Sequence, residues 1–142
     1  MTWTLCNDAE AVARRACAEI TRAARDAVIS RDRFSIVLAG GTTPELCYRL
    51  LAETAGDWRK WHVFFGDERC LSRSNPQRNS MLAATALFDR VSIPGDQIHP
   101  IPAELGAKPA ADIYAKTVCT ATPFDMVLLG MGEDGHTASL FP

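Results

Sequence analysis

Between Asp8 and Ser30 the apolar positions Val12, Ala16, Ile20, Ala23 and Ala27 step by three or four, while Arg14, Arg15, Arg22 and Arg25 fall mostly between them. That period predicts an amphipathic helix whose arginines form a solvated outer face. Asn7 followed three residues later by Glu10 has the form of a capping box at its start. The pattern then changes character. Phe34 to Ala39 is a nearly continuous apolar block rich in β-formers, halted by Gly40-Gly41, and predicts a buried strand. A helical stripe returns at Leu46, Cys47, Leu50 and Leu51, with Thr43 placed as N-cap and Pro44 at the favoured first helical position. Trp61 to Phe65 and Phe124 to Leu129 read as two further buried strands. Between them lie a weaker helical pattern at Met81, Leu82, Thr85 and Phe88 and a proline-rich loop with a short strand near Ile98 to Ile101. A helix from Pro109 to Ala121 follows.

Strands apolar on both faces, alternating with amphipathic helices, point to an α/β fold. The expected architecture is doubly wound and Rossmann-like, a mostly parallel sheet with helices on both faces. No internal repeat, low-complexity tract or linker divides the chain, so residues 1–142 are expected to form a single domain.

Composition narrows the partners. The 15 Lys+Arg and 17 Asp+Glu give a formal charge of −2, which supplies no counterion-release drive toward nucleic acid and no basic cluster for an anionic membrane surface. With 47% hydrophobic residues, the chain has the means to bury a core. Its apolar runs fall far short of the roughly 20 residues that cross a bilayer, and the stretch from Met1 to Asp8 lacks the pattern of a secretory leader. A cytoplasmic location is expected. Cys6, Cys17, Cys47, Cys70 and Cys119 are odd in number with no Cys-x-x-Cys pair, and read as reduced thiols rather than a disulfide framework or a zinc knuckle.

The candidate chemistry gathers after the three strands. Gly40-Gly41-Thr42-Thr43-Pro44 offers close backbone approach and two hydroxyls at a helix start, which suits a phosphate; the alternative is a plain strand-to-helix turn. It is neither a Walker loop nor a dinucleotide fingerprint. Gly66-Asp67-Glu68-Arg69 sets a guanidinium fork just past the second strand, to hold a phosphate or carboxylate or else to pair with Asp67 or Glu68. The third segment, Gly130-Met131-Gly132-Glu133-Asp134-Gly135-His136, holds a histidine among glycines with a carboxylate nearby. Asp134 or Glu133 is placed to fix the tautomer of a general base, the alternatives being a solvated capping loop or a metal ligand without suitable spacing. In an open parallel sheet all three segments meet at the carboxyl edge, where ligands bind. Ser139, Cys70 and His62 read as structural.

Taken together, Leu38 to Pro44, Phe65 to Cys70, Arg78-Asn79-Ser80 and Leu128 to Pro142 resemble the 6-phosphogluconolactonase family in order and spacing. Related glucosamine-6-phosphate deaminases share the Gly-x-Asp-Gly-His core, but continue it with Ile-Ala-Phe-Asn-Glu-Pro where this chain has Thr137-Ala138-Ser139-Leu140-Phe141-Pro142. They also carry Met-Asp-Glu-Tyr in place of Gly66-Asp67-Glu68-Arg69. The resemblance implies a sugar-phosphate-binding α/β domain over residues 1–142, truncated at its carboxyl end relative to family members, which continue with further strands and helices and a basic residue of the phosphate site.

The same resemblance implies hydrolysis of 6-phospho-D-glucono-1,5-lactone in the oxidative pentose phosphate pathway, with no metal and no organic cofactor. His136 would act as general base and Asp134 as its orienting partner. Gly40, Gly41, Thr42, Thr43 and Arg69 would hold the phosphate, with Asp67 positioning Arg69 or a sugar hydroxyl. The alternatives are a deaminase or isomerase of a sugar phosphate and a non-catalytic sugar-phosphate-binding module.

Overall fold

The structure is a computed structural model that describes residues 3–142; Met1 and Thr2, at the head of the stretch inspected for a leader, lie outside it. In chain order the main elements are α1 (Ala9–Arg31), β1 (Phe34–Leu38), α2 (Thr42–Leu51), β2 (Trp61–Phe65), α3 (Asn79–Ala86), α4 (Ala107–Ala121) and β3 (Met126–Val127). The strands form one sheet in the order β2-β1-β3, and both pairings are parallel. The chain leaves β1 in one direction to make β2 and returns on the other side to make β3. That reversal puts a crevice beyond the carboxyl ends of β1 and β3, where doubly wound sheets take their ligands.

The core follows from the register. Phe34, Ile36 and Leu38 stand opposite Trp61, Val63 and Phe65, and these six side chains share one buried face with Ile20, Ala24 and Ala27 of α1 and Cys47, Tyr48 and Leu51 of α2. The other face carries Ser35, Val37, His62 and Phe64, with Phe64 stacked on His99 and tilted against Phe124. The Tyr114 hydroxyl of α4 donates to His99 O and accepts from Phe65 N–H, joining the helix to the outer edge of β2. At the amino end of the sheet, the Asp125 carboxylate accepts from Ser35 N–H at 2.7 Å and from the Ser35 hydroxyl at 3.0 Å, and pairs with Arg31. This grip fastens β3 to β1.

Several elements depart from the expectation. The cap of α1 is Asp8, whose carboxylate accepts from Ala11 N–H at 2.7 Å, and not Asn7. The α2 helix opens two residues early, with Gly41 as its cap at φ 110° and Pro44 in the third helical position. The block from Phe124 to Leu129 yields a strand of only two residues, and it is no buried strand: Val127 is 50% and Leu129 69% exposed. It pairs with β1 alone, so its outer side has no strand neighbour among the described residues. Ile98 to Ile101 makes a single parallel bridge, Val63 to Ile98, rather than a strand. Cys17 and Cys47 are buried, and desolvation pushes both thiols up, Cys47 to about 12. Among the described residues, no helix is long and apolar enough to cross a membrane.

Candidate active site

The turn after β1 is held from beneath. The buried Tyr48 hydroxyl donates to Ala39 O at 2.6 Å and accepts from Ala39 N–H at 3.0 Å, so the residue before the double glycine is clamped on both backbone groups. Gly40 is required for space rather than for its dihedrals, because a Cβ there would stand 2.0 Å from Asn79 Oδ1. Gly41 is required for its positive φ. The first backbone bond of α2 runs from Glu45 N–H to Gly41 O, which leaves the Thr42 and Thr43 N–H groups free of helical partners at the positive end of the helix dipole.

The loop after β2 is stiffened by charge. The Glu68 side chain is fully enclosed and accepts from the backbone N–H groups of Arg69, Asn79 and Ser80. Burial pushes its carboxyl up, but the bonds from Ser80, Arg69 and Asn79 outweigh that and hold it below the ordinary carboxylate range. Arg78, only 2% exposed, lies 3.2 Å from Glu68 Oε2 and 3.0 Å from Glu104 Oε2, and also donates to Ile101 O. Arg69, by contrast, is exposed and makes no salt bridge among the described residues. Pairing with Asp67 or Glu68, the structural alternative for Arg69, is therefore not what the fold does. Nor does Asp67 hold Arg69: its carboxylate accepts from Asn79 Nδ2 at 3.0 Å and from the Ser139 hydroxyl at 2.6 Å.

The third segment folds largely on itself. Gly132 N–H donates to His136 O, Gly135 at φ 88° donates back to Gly132 O, and the Thr137 hydroxyl donates to Gly130 O. The His136 ring packs so closely on Gly132 that a Cβ there would lie 2.2 Å from its Cε1. Nδ1 of His136 sits 2.5 Å from Asp134 Oδ1, and this hydrogen bond holds the Asp134 carboxyl below its usual value. With Nδ1 engaged as donor, Nε2 is the nitrogen left to take a proton.

One cavity of about 720 Å³ joins the three segments, lined by Gly40 to Pro44, Asp67, Arg69, Asn79, Gly130 to Gly132 and His136. All eight residues singled out in the sequence touch it except Asp134, which acts from behind His136. Its volume suits a sugar phosphate. Among the described residues no group of three or more His, Cys, Asp or Glu is arranged to hold a metal ion.

Residues 7–142 match the family of glucosamine-6-phosphate isomerases/6-phosphogluconolactonase. The chain belongs to that family. Among family members it is 43% identical over 126 residues to 6-phosphogluconolactonase of Nostoc sp., covering 82% of this chain and 52% of that protein. It is 41% identical over 137 residues to the Synechocystis sp. protein of the same name, covering 90% and 57%. In three dimensions it is similar to the crystal structure of 6-phosphogluconolactonase from Thermotoga maritima, with a TM-score of 0.88 at 33% identity over 98% of this chain and 63% of that one. The chain thus spans about half the length of the curated relatives it matches.

Sequence reasoning missed Tyr48 and Ser139 as parts of the site, and quoted Asn79 without a role. Each acts through a bond between residues distant in sequence, up to 72 positions for Ser139 and Asp67. Asn79, inside Arg78-Asn79-Ser80, and Ser139, inside Leu128 to Pro142, were marked by lying in motifs that carry the resemblance, whereas nothing in the sequence marked Tyr48.

Proposed function

We propose that this site opens 6-phospho-D-glucono-1,5-lactone to 6-phosphogluconate. The observation that carries the reading is the shared cavity: a histidine with its tautomer set by a carboxylate faces the same space as a free helix N-terminus and an unpaired arginine. The names of the similar proteins from Nostoc and Thermotoga support the same substrate.

In this mechanism the Thr42 and Thr43 N–H groups, their hydroxyls and the Arg69 guanidinium receive the phosphate, while Gly40 and Gly41 admit it to the backbone. Anchoring at that end brings the lactone carbonyl toward His136. Nε2 of His136 takes a proton from water as the water oxygen bonds to the carbonyl carbon. Asp134, accepting from Nδ1–H, stabilises the imidazolium that results. When the tetrahedral intermediate collapses, the bond from the carbonyl carbon to the ring oxygen breaks, and the imidazolium returns its proton to that oxygen. The base is regenerated and the product is an open-chain carboxylic acid.

The test is lactone opening by the purified protein, corrected for spontaneous hydrolysis, with His136→Ala alongside. The expected loss is roughly 10²-fold or more, the scale of a general acid–base residue, with an unchanged melting curve. Ammonia release from glucosamine 6-phosphate without lactone opening would replace this reading with a deaminase.

A further inference from the structure

Among the described residues, the hydrogen bond from the Ser139 hydroxyl to Asp67 is the only one that joins residues 130–142 to the rest of the chain. Every other bond made by that segment, including both contacts between Asp134 and His136, closes within it. The segment therefore carries its own acid–base pair as a preformed unit. Beyond its covalent continuation from β3, whose Leu128 N–H donates to Val37 O, its position against the remainder of the cavity is set by one polar tie.

The far end of that tie is well anchored. Asp67 is held through its other oxygen and its backbone carbonyl by Asn79 Nδ2, at 3.0 and 3.1 Å. Asn79 is buried, and its side chain fills the space that a Cβ on Gly40 would need. A continuous chain of contacts thus runs from Gly40 through Asn79 and Asp67 to Ser139. It begins at the turn proposed to seat the phosphate and ends three residues past the proposed base.

We propose that Ser139 and Asp67 form a latch that positions His136, setting the distance between the proton acceptor and the phosphate seat. The inference rests on the lactonase reading for its catalytic consequence but not for the latch itself. Ser139 and Asp67 are positioning residues here: the first acts through the segment it holds, and the second has both carboxylate oxygens occupied by protein donors. A bond to a charged acceptor is among the stronger hydrogen bonds. Losing it frees the segment as a whole while the bonds between Asp134 and His136 persist.

Two readouts on the whole chain test this: amide hydrogen exchange over residues 130–142, and steady-state kinetics on the phosphorylated lactone. In Ser139→Ala, exchange in that segment should rise by on the order of tenfold. The kcat should fall by a similar factor, with KM within about threefold of the wild type, because the phosphate seat is untouched. Ser139→Thr keeps the hydroxyl and should restore both. Asp67→Asn, of nearly the same shape but with one acceptor turned into a donor, should loosen the segment as Ser139→Ala does, and serves if that variant folds poorly. Unchanged exchange in Ser139→Ala overturns the latch, as does equal loosening in Ser139→Thr. Faster exchange with unchanged kcat overturns its positioning role. If the wild type opens no lactone, the functional reading fails while the exchange data still decide whether the latch exists.

Discussion

The two halves of the cavity are built by opposite means. On the side of β1 and β2, Tyr48, Asn79, Glu68 and Arg78 are enclosed side chains that brace the backbone of the binding loops from below. On the side of β3, the His136 segment is exposed along most of its length and is organised by its own glycines and short-range bonds. The contrast separates two requirements. A phosphate seat needs several N–H groups aimed at one point, which only a stiff scaffold maintains. A general base needs one nitrogen with a defined tautomer, and a single neighbouring carboxylate supplies that wherever the loop lies.

The largest effect expected from this comparison comes from breaking the braced side. Arg78→Ala strands the enclosed Glu68 carboxylate without its cation, and should cost about 3–5 kcal/mol of unfolding free energy in urea titrations. A loss below about 1 kcal/mol would mean that the backbone N–H groups of Arg69, Asn79 and Ser80 compensate Glu68 by themselves.

A smaller and more selective effect is expected at Arg69, which belongs to the braced loop but spends nothing on the fold. Arg69→Ala should leave stability within about 0.5 kcal/mol of wild type. It should raise KM for the phosphorylated lactone about tenfold with little change in kcat, since a remote phosphate contact contributes equally to ground and transition states. The unphosphorylated lactone is the control. Equal damage to both substrates would assign Arg69 to the scaffold.

The smallest effect is in acid. Hydrogen bonds from Arg73, from its own backbone N–H and from Arg78 hold the Glu104 carboxyl down at about 2, against an ordinary 4.5. Folding therefore lowers this pKa, so the stabilisation is complete above pH 4.5 and drains away as the pH falls toward 2. In melts across that range, Glu104→Gln should be less stable than wild type at pH 7, with the gap narrowing below pH 4.5 and closing only near pH 2. A constant gap would show that charge at Glu104 is not what couples Arg73 and Arg78 to the fold.

The braced and self-organised regions also differed in how far they could be read from residues alone. Trp61 to Phe65 emerged with its bounds unchanged, because an apolar run flanked by polar chain has a single local solution. The segment from Gly130 to His136 was legible for the same reason: its pairing of Asp134 with His136 spans two positions. What stayed hidden was long-range. Arg78 looks like one more loop arginine until Glu68 and Glu104, ten and twenty-six positions away, close around it. The brevity of β3 was equally invisible, since the apolarity of Phe124 to Leu129 reports what a strand prefers and not how many neighbours it finds. The start of α2 was misjudged because Thr43-Pro44 is a good helix opening, yet the left-handed turn at Gly41 admits the helix earlier.

The grip of Asp125 on Ser35 and Arg31 lies at the opposite end of the sheet from the cavity. For anyone seeking to retune what this scaffold accepts, that separation defines a safe working area. Libraries confined to Thr42, Thr43, Arg69, Met131 and Glu133 touch neither the zipper between β1 and β3 nor the glycines and the enclosed Glu68 that shape the loops, so variants with altered substrate range need not be sorted from variants that have merely come apart. Randomising position 125 or 35 would do the reverse, filling a library with casualties that say nothing about chemistry.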